Sequence, residues 1–279
     1  MNALNALKSL VARFRDAVWE VEQESQRLRE EQGKAFDWRT ALVIVLACVC
    51  VSVLDYYGGS GDYRHWEKIL GLFMDEPGVW LREFFRRSED AELYRLSYWA
   101  LSTFFWYFVV PAGFIKVFLK GRLRDYGLSF KGTIRHSWIY LGLYLLVLPF
   151  VVAVAFTPAF QKTYPFYSQA GQGLRGFMYW EFAYALQFMS LEFFYRGFLI
   201  HALKPRFGFY AIFVSVIPYC MIHFGKPFPE TLGAIIAGLA LGTLSMFTRN
   251  IWGGVGIHVG VAVTMDVLSL FLQGKFWFQ

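Results

Sequence analysis

The chain has 279 residues, of which 56% are hydrophobic, 20% aromatic and only 17% charged, with a formal net charge of +6. This composition excludes a disordered chain, a collagen-like chain and a secreted disulfide scaffold. The apolar residues come in blocks approaching the roughly 20 residues that a bilayer crossing needs, which argues against an ordinary soluble enzyme. The expected fold is all-α: a polytopic transmembrane helical bundle of about seven spans, preceded by an N-terminal amphipathic helix.

Taken in chain order, residues 1–32 read as a helix with Leu4, Leu7, Val11, Phe14, Val18 and Val21 spaced 3, 4, 3, 4, 3. This is a heptad seam, resumed at Leu28 after a polar break at Ser25. It suits either a coiled coil, which predicts a protein partner or self-association through residues 1–32, or a helix lying on membrane lipid. Lys8, Arg13 and Arg15 favour the lipid surface, and the acidic run from Glu20 to Glu31 favours a solvated or protein-bound end. Residues 1–38 form the N-terminal unit and 39–279 the transmembrane domain. No signal peptide is expected.

Seven apolar blocks come next: Thr40–Val53, Leu96–Leu119, Ser137–Phe156, Tyr179–Ile200, Gly208–Phe224, Thr231–Phe247 and Ile251–Leu272. The mixed stretch Asp55–Arg95 predicts a short surface helix. Cys48, Cys50 and Cys220 all lie inside blocks and read as buried small hydrophobes. Basic residues concentrate in residues 1–39, after block two (Lys120, Arg122, Arg124, Lys131, Arg135), after block four (Lys204, Arg206) and after block six (Arg249). Seven crossings put all four segments on one side, which predicts a cytoplasmic N-terminus and an external C-terminus. Block five is short and holds Pro218; a half-crossing there would invert the orientation of blocks six and seven. The net positive charge thus reads as a topology signal, and no nucleic-acid partner is expected. Short connecting loops point to a bacterial inner membrane.

The residues that carry chemistry are ionisable groups inside apolar blocks, where burial is expensive. Glu192 and Arg196 are four apart on one helix face and can pair. Glu181 lies three turns earlier on nearly the same face. His223 closes block five, Glu230 opens block six, and His258 and Asp266 sit two turns apart in block seven. Each has a structural reading: an internal ion pair, a packed histidine, a helix cap, an inter-helix hydrogen bond. Their coincidence on three blocks, beside glycines and prolines, is what favours function.

At these residues the chain resembles the CAAX protease and bacteriocin-processing (CPBP) family, whose members include type II CAAX prenyl endopeptidases. The first motif of that family is Glu-Glu, three residues, Arg and usually Gly; here Glu192, Arg196 and Gly197 match the second Glu, the Arg and the Gly. Tyr219 to His223 fits the second motif, with Tyr for Phe, and His258 fits the start of the third. The resemblance covers about residues 120–272, including Tyr126-Gly127-Leu128. Two positions depart: the first Glu is Leu191, and the Asn expected four residues after His258 is Ala262.

The resemblance implies an intramembrane endopeptidase acting on a lipidated or membrane-anchored peptide, or a protein that kept the fold and lost its base, a scaffold or immunity-like protein. In the peptidase reading Glu192, or Glu230 or Asp266 in its place, activates water, His223 orients that water, His258 stabilises the oxyanion and Arg196 holds Glu192. No cofactor is expected; two histidines and a carboxylate also make a zinc donor set, although the HExxH spacing is absent. A transporter would need internal repeats and a polar path, and neither is evident.

Overall fold

The computed structural model describes residues 3–33, 35–73, 77–130, 133–226 and 228–275. Among them the chain is helical with no strand beyond one isolated antiparallel bridge, Leu128 to Asn250. Helix α1 (Ala3–Gln32) is followed by α2 (Trp38–Tyr57), capped by Asp37, whose carboxylate accepts from the Thr40 amide. The stretch after it holds α3 (Arg64–Leu70) and α4 (Pro77–Arg82), the latter continued by a π turn over Glu83–Arg87, so two short helices stand where one was expected. α5 (Ala91–Phe104) runs through a π turn, Phe105–Val109, into α6 (Val110–Val117). Next come α7 (Thr133–Ala155) and the short α8 (Pro158–Thr163). α9 (Leu174–Glu192) runs through a π turn, Phe193–Leu199, into α10 (Ile200–Phe207). α11 (Tyr210–Met221), α12 (Phe228–Thr248) and α13 (Trp252–Leu272) complete the bundle.

Among the described residues, five helices are long and apolar enough to cross a membrane: Trp38–Tyr57, Ala91–Val117, Thr133–Ala155, Phe228–Thr248 and Trp252–Leu272. The other two expected spans differ for physical reasons. α9 interrupts its apolar run with Glu181, Gln187 and Glu192, all buried, because it forms the centre of the bundle rather than its lipid face. α11 has only 12 residues, about 18 Å of helix, too short to cross alone; the turn after it, Ile222–Lys226, carries the chain onward to α12. The lipid-facing surface is correspondingly apolar, with Leu42, Val45, Leu101, Leu141, Leu145, Phe150 and Ile236 exposed. Of the three cysteines only Cys50 is buried; Cys220 is intermediate and Cys48 is exposed, because Cys48 falls on the outward face of α2.

The basic connecting segments gather at one end. Asn250 Nδ2 donates to the Ser129 carbonyl at 2.8 Å and to Thr133 Oγ1 at 2.6 Å, and the Ile251 amide donates to the Gly127 carbonyl at 3.1 Å. Gly127 adopts φ +87°, and a Cβ there would strike Ile251. A Cβ on Gly197 would meet the Tyr126 carbonyl. The Tyr126-Gly127-Leu128 element is therefore the clasp that joins the α6–α7 connection to α13 and to the π turn of the central helix.

α1 lies across this same end. Its Phe14 ring packs edge-on against Phe209 and Phe247, each at 6.0 Å. Glu22 accepts from the Phe209 amide at 2.6 Å, Lys204 donates to Glu24 at 2.6 Å, and Arg29 donates to the Arg206 carbonyl at 2.9 Å. Val21 is buried. Ser25, read from the sequence as a break in the seam, is buried too and donates to the Pro205 carbonyl at 3.1 Å, so it is a docking contact. The side chains of Leu4 and Leu7, the first positions of the seam, lie outside the described residues.

Candidate active site

The central helix makes the site possible. Through the π turn Phe193–Leu199 every side chain is buried, and Arg196 is among the largest fully enclosed side chains of the protein. A charge so enclosed requires an opposite charge nearby. Arg196 Nη1 lies 3.2 Å from Glu192 Oε1, one helical turn back, as the spacing predicts. α13 supplies the third member: His258 Nδ1 is 2.9 Å from the same Glu192 oxygen. These contacts are close but bent, so neither makes a well-aligned hydrogen bond. Such bonds are often loose before substrate binds.

α13 can approach Glu192 this closely because of Gly254. A Cβ at that position would overlap Glu192 Oε2. The neighbouring Gly253 is required in the same way, since a Cβ there would enter the Tyr140 ring. The glycine cluster around His258 thus has a cause: it makes room for a carboxylate and an aromatic ring. The His258 ring is stacked on Phe188 at 5.3 Å with an interplanar angle of 4°, which fixes its plane.

α11 completes the arrangement through Tyr219, a residue the sequence marked only as an aromatic of the second motif. Its hydroxyl is 3.1 Å from His258 Nε2, and Arg196 Cζ sits 3.9 Å from its ring centroid. A guanidinium over an aromatic face is a favourable cation–π contact, strengthened by burial. The carbonyl of Tyr219 accepts from His223 Nδ1 at 2.9 Å. His223 therefore joins the cluster through Tyr219 rather than by touching Glu192 or His258. The signal that could have found Tyr219 was the hydroxyl itself, a hydrogen-bonding group one helical turn before His223 inside an apolar helix.

Gly197 lies beside Ile251, just before α13 begins. Glu192 therefore stands only one to two turns above that level, in the basic half of the bundle, where His258 also lies. Glu192 and Arg196 are each 1% exposed. His258, with a side chain 16% exposed, and the half-buried His223 are the members with access to the outside.

The two replacement carboxylates are placed elsewhere. Asp266 is fully buried and accepts from Trp180 Nε1 at 2.8 Å. Glu230 accepts from Lys226 Nζ at 2.7 Å and from the Tyr164 hydroxyl at 3.1 Å, near the end of the bundle opposite α1. Neither meets the Glu192 cluster, because two turns of α13 separate Asp266 from His258. Leu191 is partly buried against the apolar core, and Ala262 packs with Trp180 and Tyr184. Among the described residues no three His, Cys, Asp or Glu side chains are gathered as metal ligands. Both nitrogens of His258 face protein partners, and His223 Nδ1 is turned to a carbonyl.

A family profile described as type II CAAX prenyl endopeptidase Rce1-like matches residues 174–264, about a third of the chain. That segment contains Glu192, Arg196, Gly197, Tyr219, His223 and His258, so the resemblance to the CPBP family holds where the polar cluster is built. No curated protein and no solved structure gives a significant match. With its five apolar helices and this match, the chain is an integral membrane protein similar, over residues 174–264, to a protease family.

Proposed function

We propose that the chain is an intramembrane endopeptidase of the CPBP type that hydrolyses a membrane-anchored or lipidated peptide. The observation that carries this reading is the relay across three helices: Glu192 Oε1 at 2.9 Å from His258 Nδ1, and His258 Nε2 at 3.1 Å from the Tyr219 hydroxyl. A carboxylate beside Nδ1 favours the tautomer that carries its proton there and leaves Nε2 as the basic nitrogen. Glu192, sealed from solvent, is badly placed to meet water itself. His258, on the accessible side, takes that role in place of the carboxylate missing at Leu191.

In the reaction, His258 Nε2 accepts a proton from water as the water oxygen attacks the scissile carbonyl carbon. The resulting imidazolium is stabilised by Glu192, and the proton then passes to the leaving amine as the C–N bond breaks. Arg196 holds the Glu192 carboxylate in place and balances its charge. The Tyr219 hydroxyl, released from Nε2 when water enters, is a donor for the developing oxyanion, a role with no side chain to fill it at Ala262. His223, donating from Nδ1 to a carbonyl, presents Nε2 as an acceptor that orients the water. The basic end of the bundle is assigned to the cytoplasm, in a bacterial inner membrane.

The apolar residues at Leu191 and Ala262 favour a second reading, a catalytically inactive scaffold or immunity-like protein on the same fold. Purified protein in lipid, presented with prenylated and unmodified membrane peptides, separates the two. The peptidase reading expects cleavage by the wild type and a loss of about 10²- to 10⁴-fold in His258→Ala and Glu192→Gln with the fold retained. Wild-type protein that binds such peptides and cleaves none supports the scaffold; cleavage that survives both substitutions removes the mechanism.

A further inference from the structure

α1 rests on the bundle from Phe14 onward. Phe14 meets Phe209 and Phe247, Val21 is buried and Ser25 is bonded to Pro205, but toward the N-terminus Leu10 and Val11 are 65% and 59% exposed. These two residues belong to the same apolar stripe as Phe14, Val18 and Val21. That stripe is the face with which α1 packs on the ends of α10, α11 and α12. Beyond the edge of the bundle it must therefore point the same way, along the bundle axis toward the plane of the bilayer.

The charges around the overhang are ordered. At about 100° per residue, Lys8 and Arg15 fall on one flank of the Phe14 line and Arg13 on the other, while Asp16 lies on the far side. All four are exposed. The Arg15–Asp16 contact of 3.3 Å is a surface pair, with both side chains well over half exposed, and holds Arg15 only weakly. Basic residues flanking an apolar stripe, with the acid turned away, is the layout of a helix lying in a membrane interface.

From this overhang we infer that residues 5–15 of α1 bind the anionic headgroup layer at the basic end of the bundle. Leu10, Val11 and the open side of Phe14 enter the acyl boundary, and Lys8, Arg13 and Arg15 reach lipid phosphates. The lipid occupant is favoured over a second copy of the chain because the stripe faces the bilayer plane rather than solvent, and because both of its flanks carry the charge that phosphates attract. Docking of the second half through Glu22, Glu24, Ser25 and Arg29 fixes the height of the overhang at the membrane surface.

The test is hydrogen–deuterium exchange of the full chain in nanodiscs of phosphatidylcholine alone and mixed with phosphatidylglycerol. Amides of residues 5–15 are expected to exchange about 100-fold more slowly in the anionic discs at low salt, with about fivefold lost per basic residue removed in Lys8→Gln, Arg13→Gln and Arg15→Gln. Leu10→Ser with Val11→Ser should remove the protection in both lipids, while residues 20–30 stay protected because they are held by protein contacts. Equal exchange in the two lipids overturns the inference. So does protection that tracks the number of protein copies per disc instead of lipid charge, which would assign the stripe to a second chain.

Discussion

α9 and α13 meet twice through buried polar groups, and the two meetings are built differently. Near the basic end, the α9 carboxylate Glu192 is matched by the guanidinium of Arg196 and faces His258 of α13, with Tyr219 of α11 closing the group. Three turns away, Trp180 of α9 donates to Asp266 of α13, beside the buried Glu181, in a shell of Tyr184, Phe177 and Leu270. The first group contains a cation, an imidazole and a side with access to the outside. The second holds carboxyl groups among aromatic rings, and Asp266 has no exposure at all. A buried polar group thus earns a chemical role only when a proton or substrate can reach it; otherwise it fastens helices together.

The largest expected effect sharpens this contrast. Arg196→Leu leaves Glu192 as an uncompensated buried charge and should destabilise the fold by about 3–5 kcal/mol, whereas Arg196→Leu with Glu192→Leu should recover much of that loss. Thermal unfolding in detergent reads both. Gly254→Ala comes next: its methyl group enters the space of the Glu192 carboxylate, so a cost of about 1–3 kcal/mol is expected, together with a fall in peptide cleavage because His258 loses its partner.

Asp266→Ala probes the other meeting. It strands the Trp180 N–H and should cost about 1–3 kcal/mol by the same unfolding measurement, while kcat in the surviving folded fraction stays near wild type. A fall in kcat comparable with that of His258→Ala would erase the distinction between the two groups.

The smallest effect lies at the docked half of α1. The hydrogen bond from Lys204 holds the Glu24 carboxyl below its ordinary value of 4.5. A depressed carboxyl stabilises the folded form fully above its unfolded value and loses that contribution as pH falls through the folded one. Exchange protection of residues 20–30 should therefore weaken only as pH drops below about 4.5, and Glu24→Gln should mimic the acid state at neutral pH. The Glu24 side chain is 44% exposed, so the change in exchange should be slight.

Much of this molecule was legible in its residues. Apolar blocks set by bilayer thickness are long-range, low-resolution signals, and five of the seven became helices fit to cross a membrane. The pairing of Glu192 with Arg196 was equally accessible, because a four-residue spacing on a helix is a local fact. The Tyr126-Gly127-Leu128 element was visible as a motif but not as a clasp, since its partners Gly197 and Ile251 lie far along the chain.

What the amino acids determined alone was therefore whatever depends on one helix: its length, its apolar faces and the side chains that share a stripe. Which helices meet, and at what height, was decided only by packing. The π turn after Glu192, the missing Cβ at Gly254 and the shortness of α11 together bring His258 and Tyr219 to one carboxylate and leave Asp266 and Glu230 to other partners. Contacts between helices depend on how closely backbones approach, and no spacing within a single helix encodes that distance.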